Sequence, residues 1–492
     1  MKEKCNWNLQ DIFENEEQFK KEKSEITDIL EKIKKYQGTL CNTSDNLYNC
    51  YKLYEQALEK FEKIYAYGML KYHLDMSNQD GIKIFKEVET LGTEFNVATS
   101  FMTPEITYAD ENTIKEYIKE ERFKGYERDI KDILNEKKHV LSKEEENILA
   151  NFSEIISAPE NTFDTLTNAE FKFGTLIDEN GKEVEMTDST YTLFLKNKDR
   201  NVRKQAFDLM YKKYSEFINT ITEMYISNVK AKATTAKLRK YNSSLEEAVE
   251  HDDASLKVYE SLIEAIDEDI SVNYDFIKLK KQMLKLDEMH MYDLYVNPCE
   301  QGKNEITFED AKQEVLNALQ ILGKEYINKL EEAFDNRWID VYAKPNKRGG
   351  AYSMGVYGVH PFVLTNFVNS KRDISTIAHE LGHSMHSYYS NREQNVLNAN
   401  YTIMVAEVAS TVNEILLSDY QIKNEKDNKK KAELLYELLE MIRATLFRQA
   451  MFAEFEKDVH DKIENNVMLS ADDLNDMYYK LNQKYFGPDV NI

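Results

Sequence analysis

The stretch DISTIAHELGHSMHSYYS, residues 373–390, decides how the rest of the chain is read. Ile374, Ile377, Ala378, Leu381 and Met385 recur at helical spacing, which predicts a helix with one buried face. Residues four apart on a helix share a face, so His379 and His383 aim two imidazoles at one point. That supplies two ligands of a tetrahedral zinc ion. Glu380 lies about 100° further around the helix; it is badly placed to join the same coordination and well placed to reach a water there, so it reads as a general base. Gly382 costs about 1 kcal/mol against Ala in a helix interior, which predicts that something passes close to that backbone. With nine His in 492 residues, chance produces an HExxH pentad on the order of 0.02 times per chain.

Downstream, YTIMVAEVASTVNEILLSDYQI, residues 401–422, is apolar on most sides through Ile403, Met404, Val405, Val408, Ala409, Val412, Ile415 and Leu416. The pattern predicts a buried helix. Glu407, Thr411 and Glu414 fall on it at i, i+4 and i+7, and buried carboxylates need partners. The interval from His383 to Glu407 lets the first helix finish, turn and return as a second. Glu407 is then the third ligand, leaving a fourth position open for water. A third histidine in the HExxHxxGxxH pattern does not fit, because His386 stands where Gly is required and Tyr389 takes the last place. Glu414 reads either as a carboxylate orienting one of the histidines or as half of a buried salt bridge. His386 reads equally as a neighbour of the site or as packing.

Residues 15–150 are a succession of charged amphipathic helices, and the tyrosines and phenylalanines spaced along them read as core. In FKFGTLIDENGKEVEMT, 171–187, Asn180-Gly181 between two short extended segments predicts a β-hairpin. Ser189–Tyr191 opens further helical sequence, with one or two long helices after 197, where Arg200 and Arg203 suit interhelical pairing better than ligand contact. Residues 253–290 are again helical. In 337–367, Gly349, Gly350, Gly355 and Gly358 sit among aromatic and β-branched residues, a composition suited to strands that another backbone approaches closely. A strand there is a candidate for pairing with an extended peptide by edge addition, with Tyr352, Gly355, Tyr357 and His360 near the cleft. Ordinary sheet packing is the equal alternative for these side chains.

Composition excludes several classes. The chain carries 64 basic and 88 acidic residues, net −24, and no dense Lys/Arg block, so nucleic acid is not an expected partner. No stretch approaches the roughly 18 apolar residues of a membrane span. Four scattered cysteines without CxxC spacing read as free thiols, pointing to a reducing cytoplasm. Sparse Gly and Pro point to a mainly α chain.

WNLQDIF, FKFGTLIDENGK, DRNVRKQAFDLMYKKY, MYDLYVNP, RWIDVY with GAYSMGVYGVHPF, HELGHSMHSYYS, AEVASTVNE and RQAMFAEFE together resemble oligoendopeptidase F of bacteria, in the thimet oligopeptidase superfamily of zinc metallopeptidases. The resemblance covers essentially the whole chain. It implies a mainly α, two-lobed body around a deep channel with a small β element beside the zinc helix: a helical lobe over 1–187 and a catalytic domain over 188–492. It also implies cleavage of short peptides with one zinc ion held by His379, His383 and Glu407, Glu380 as catalytic base, and GAYSMGVYGVHPF as the strand that pairs with substrate. Family members resemble the chain as far as KYFGPDV and are expected to continue beyond it, with a His and tyrosines closing over the scissile carbonyl. Without such a segment, the alternative is a zinc-binding protein that holds peptides with little or no catalysis.

Overall fold

The structure, a computed structural model, describes residues 5–299 and 306–492. It divides into two compact units, Met1–Val140 with Gly302–Asn424, and Leu141–Gln301 with Glu425–Ile492. The expected boundary near 187 does not coincide with this division. The chain leaves the first unit and returns to it, because the amino-terminal helices and the segment around the HExxH helix share one small sheet.

In the first unit, helices α1 (Glu16–Ile33), α2 (Ser44–Leu74) and α3 (Gln79–Thr99) each begin at a side-chain cap: Asn15, Thr43 and Asn78 accept from the amides of Gln18, Asn46 and Gly81. Their apolar stripes form a core containing Ile26, Ile33, Leu47, Tyr51, Ile64, Leu70 and Phe95, so the aromatic residues of this region are core, as their spacing predicts. Strands β1 (Ile339–Tyr342), β2 (Tyr352–Met354) and β3 (Phe362–Phe367) make a three-stranded sheet with β3 in the centre, parallel to β1 and antiparallel to β2. Side chains alternate along β3. Phe362 and Leu364 enter the helical core, while Val363 and Phe367 enter a second core with Ile374, Ile377, Leu381 and Met385. A strand covered on both faces explains the unbroken apolar run FVL, residues 362–364.

The strand directly before the HExxH helix is therefore the central one, and the edge nearer that helix belongs to β2. Asp340 and Lys347, both fully buried, pair at 2.6 Å. The lysine also donates to the carbonyls of Tyr342 and Thr365, at 2.8 and 2.6 Å, locking the 343–351 loop to the sheet.

In the second unit the 171–187 hairpin forms as its turn residues predict: Thr175–Ile177 pairs antiparallel with Glu183–Glu185, and Gly181 takes φ +78°. The short helix Asp188–Leu195 follows, then two longer ones, Arg200–Glu216 and Ile218–Leu238. Arg200 and Arg203 converge on the buried Asp293, at 3.0 and 2.7 Å, the pairing role rather than ligand contact. Among the described residues no helix is long and apolar enough to cross a membrane.

Candidate metal centre

The helix α4 (Lys371–Glu393) starts where Asp373 accepts from the amides of Val368 and Ser370, and α5 (Ile403–Asn424) returns beside it. The two helices meet at Gly382. A Cβ there would lie 2.6 Å from the Ser410 Cα and 2.7 Å from the Ala409 carbonyl oxygen, so the close approach predicted from the glycine is to the backbone of α5. Asn413, buried on α5, donates to the Ala378 carbonyl at 3.0 Å and fixes the pair lengthwise.

This contact brings three donors together. His379 Nε2 and His383 Nε2 lie 3.2 Å apart, and Glu407 Oε2 stands 3.4 Å from the first and 3.5 Å from the second. Four-coordinate zinc with bonds of about 2.0–2.1 Å places its ligand atoms about 3.4 Å apart, so the triangle fits one such ion. The donor chemistry agrees, because two imidazole nitrogens and a carboxylate oxygen face one another, a set that would share a cation.

The remaining polar atoms of these three side chains are held. His379 Nδ1 donates to Glu414 Oε2 at 3.1 Å; the carboxylate can only accept, so the proton sits on Nδ1 and the Nε2 lone pair is free. Ser375 donates to the other oxygen of Glu414 at 2.8 Å. His383 donates to the Ala406 carbonyl, and Ser410 donates to Glu407 Oε2 at 2.7 Å. The hydrogen bond that His379 donates to Glu414 raises the His379 pKa, whereas burial lowers that of His383. Glu380 is 6% exposed, and burial, reinforced by Glu407 and Glu414, pushes its carboxyl up to about 7. Such a carboxyl is poised to exchange a proton near neutrality.

Other candidates fall elsewhere. Glu414 accepts from His379, as described. His386 stacks on Tyr401, ring centroids 3.6 Å apart and 11° between planes. Tyr352 turns away from α4: its side chain packs on the helical core and its hydroxyl meets His73 Nδ1 at 2.9 Å. The neighbouring Ser353 faces α4 instead, 2.8 Å from Ser384 Oγ. Gly355 is where α4 presses on the sheet, since a Cβ would stand 2.7 Å from that of Ser387. The Tyr357 hydroxyl donates to the Gln394 carbonyl at the end of α4, 3.0 Å. His360 stacks on Trp338 and meets Asp11 at 2.9 Å.

The apolar face of α5 is not buried. Ile403 is 77% exposed, Val408 57% and Val412 44%, and the Glu407 side chain stands in the open at 61%. Only Ser410, Asn413 and Leu417 are buried, since the α4 contact is made by small and polar residues around Gly382. Sequence reasoning missed Ser375, Ala406 and Ser410. Ser375 sits one turn before His379 and Ser410 one turn after Glu407, a spacing that could have found both; Ala406 acts through its backbone and leaves no side-chain signal.

Together the helix-borne HExxH and the glutamate of the following helix define a helical peptidase of the HExxH class. Residues 193–492 match peptidase family M3, and residues 105–173 match Oligopeptidase F. Oligopeptidase PepF of Bacillus subtilis is 38% identical over 99% of this chain and 73% of its own length; an oligoendopeptidase F homolog of Borreliella burgdorferi is 37% identical over 99% and 82%. The crystal structure of oligoendopeptidase-F from Enterococcus faecium superposes with a TM-score of 0.71 at 30% identity, covering 97% of this chain and 81% of that one. The chain belongs to peptidase family M3.

Proposed function

We propose that the chain is a zinc-dependent endopeptidase acting on short peptides, with His379, His383 and Glu407 as ligands and Glu380 as general base. The observation that carries this reading is the 3.2–3.5 Å donor triangle with the buried Glu380 carboxyl on the same helix. The names of the relatives in Bacillus subtilis and Enterococcus faecium support oligopeptides as substrates. Zinc held there would act as a Lewis acid on the scissile carbonyl and acidify the attacking water. Glu380 takes that water's proton as the water adds to the carbonyl, then delivers it to the departing amine. Glu414 keeps the His379 proton on Nδ1, and the Ala406 carbonyl orients His383. Backbone groups of β2 are free on the side away from β3 among the described residues, and offer an extended peptide a strand to pair with.

The test is hydrolysis of a quenched fluorescent peptide library by the purified chain with stoichiometric zinc, beside Glu380→Gln. The substitution should keep zinc and lower turnover by about 10²–10⁴-fold. Tight zinc binding without cleavage by the unsubstituted chain would instead mark a protein that holds peptides without cutting them.

A further inference from the structure

Glu407 and the Ala406 carbonyl lie in the first turn and a half of α5, and this part of the helix has little apolar anchorage: Ile403, Met404 and Val405 are 77%, 50% and 41% exposed. Downstream, it is held where Ser410 meets Gly382. Upstream, the loop from α4 is tied at successive points. Asn395 and Asn398 donate to the Gly125 carbonyl at 2.9 and 2.6 Å, and Ser390 donates to the Ala399 carbonyl at 2.5 Å. The last tie before the helix is Tyr401, whose ring lies flat on His386 and whose hydroxyl meets Ser387 Oγ at 3.0 Å.

His386 and Ser387 follow the ligand His383 on α4 by one turn, and Tyr401 precedes Glu407 by six residues. The stack therefore joins the segment carrying two ligands to the segment carrying the third. We infer that Tyr401 is a positioning residue for the metal centre: by stacking on His386 it sets where α5 begins, and so where Glu407 and the Ala406 carbonyl stand relative to the two histidines. The flat ring contact does most of this, because it fixes both separation and tilt, whereas the hydroxyl bond at the ring's edge adds one further point. The inference rests on the ligand assignment proposed above.

The experiment compares the full chain with Tyr401→Leu, which keeps bulk and loses the flat ring, and Tyr401→Phe, which keeps the ring and loses the hydroxyl. Zinc affinity is read by competition with a chromogenic chelator, and ligand geometry by the visible absorption of the cobalt(II)-loaded protein at saturating metal. Circular dichroism of the metal-free chains reports the fold. Tyr401→Leu should bind zinc about 10–100-fold more weakly, the loss seen when groups that orient ligands are removed, and should shift and weaken the cobalt bands at full loading. Tyr401→Phe should stay within about threefold of the unsubstituted chain. Unchanged affinity and cobalt bands in a folded Tyr401→Leu would overturn the inference. Should Tyr401→Leu fail to fold, Tyr401→Phe decides: near-normal affinity and bands support the ring's role, and a loss as large as expected for Leu overturns it. His383→Ala is the control for the reading beneath: if it leaves zinc affinity untouched, the ligand assignment fails, whatever Tyr401 does.

Discussion

Gly382→Ala sets two effects of opposite sign against each other. Helix propensity alone favours Ala by about 1 kcal/mol. At this position, however, the added methyl would meet the Ser410 Cα at 2.6 Å, the Ala409 carbonyl oxygen at 2.7 Å and the Ser410 nitrogen at 2.8 Å, all backbone atoms that no rotamer change can move. Reaching ordinary contact near 3.4 Å requires α4 and α5 to part by about 0.8 Å, and overpacking of this kind costs about 1–3 kcal/mol. The net is a loss of about 0–2 kcal/mol, read as a melting point unchanged or lower by a few degrees. The larger effect falls on the metal. Glu407 travels with α5, so its 3.4 and 3.5 Å gaps to the histidines open to about 4.2 Å. Bonds of about 2.0–2.1 Å barely bridge that gap even when collinear. Zinc affinity, measured by chelator competition, should fall by more than about 100-fold, beyond the range for loss of an orienting partner. A Gly382→Ala chain that melts higher than the original and binds zinc equally well would refute the close-packing argument.

Glu414→Ala removes the acceptor that keeps the His379 proton on Nδ1 and should weaken zinc binding about 10–100-fold, with Glu414→Gln losing less; equal affinity for all three chains would remove the orienting role. Lys347→Met strands the buried Asp340 carboxylate beside Lys344 alone and removes the bonds to the carbonyls of Tyr342 and Thr365. It should destabilise the first unit by about 3–5 kcal/mol, and denaturant unfolding with a midpoint unchanged from the parent would contradict this. Burial, with Arg348 nearby, lowers His73 from its ordinary 6.5 to about 4. The unfolded chain then takes up the proton at a higher pH than the folded one. Stability from this group is complete above about pH 6.5 and declines as the pH falls towards 4, by on the order of 3 kcal/mol. His73→Leu should flatten that part of the stability–pH curve; an identical slope would exclude His73 as its source.

What the sequence discloses and what it hides follow from the range of the interactions. The histidine pair was readable because helix geometry alone sets an i, i+4 pair on one face, and the hairpin because Asn180-Gly181 specifies its own turn. The close helix contact was readable because Gly382 carries a local cost that only a neighbour explains. The exposed face of α5 was not readable, since apolar periodicity reports what a helix is able to bury and not what covers it. Tyr352 alternates with Ser353, but which of the two faces α4 depends on the helical core around His73, almost three hundred residues earlier in the chain. The Asp11–His360 pair is similarly remote.

These short- and long-range features meet in one coordinate, the separation of α4 from α5. The proposed third ligand Glu407, the Ala406 carbonyl beside His383 and the Glu414 carboxylate that accepts from His379 all belong to α5, while the two histidines belong to α4. A displacement of α5 therefore alters ligand distance and histidine orientation at once. The protein controls that displacement at both ends of the ligand-bearing turn, by absence of a side chain at Gly382 and by presence of a ring at Tyr401. Neither group touches a ligand atom. Substitutions at the two positions act on the same distance, so their effects on metal affinity should not add as those of independent sites do.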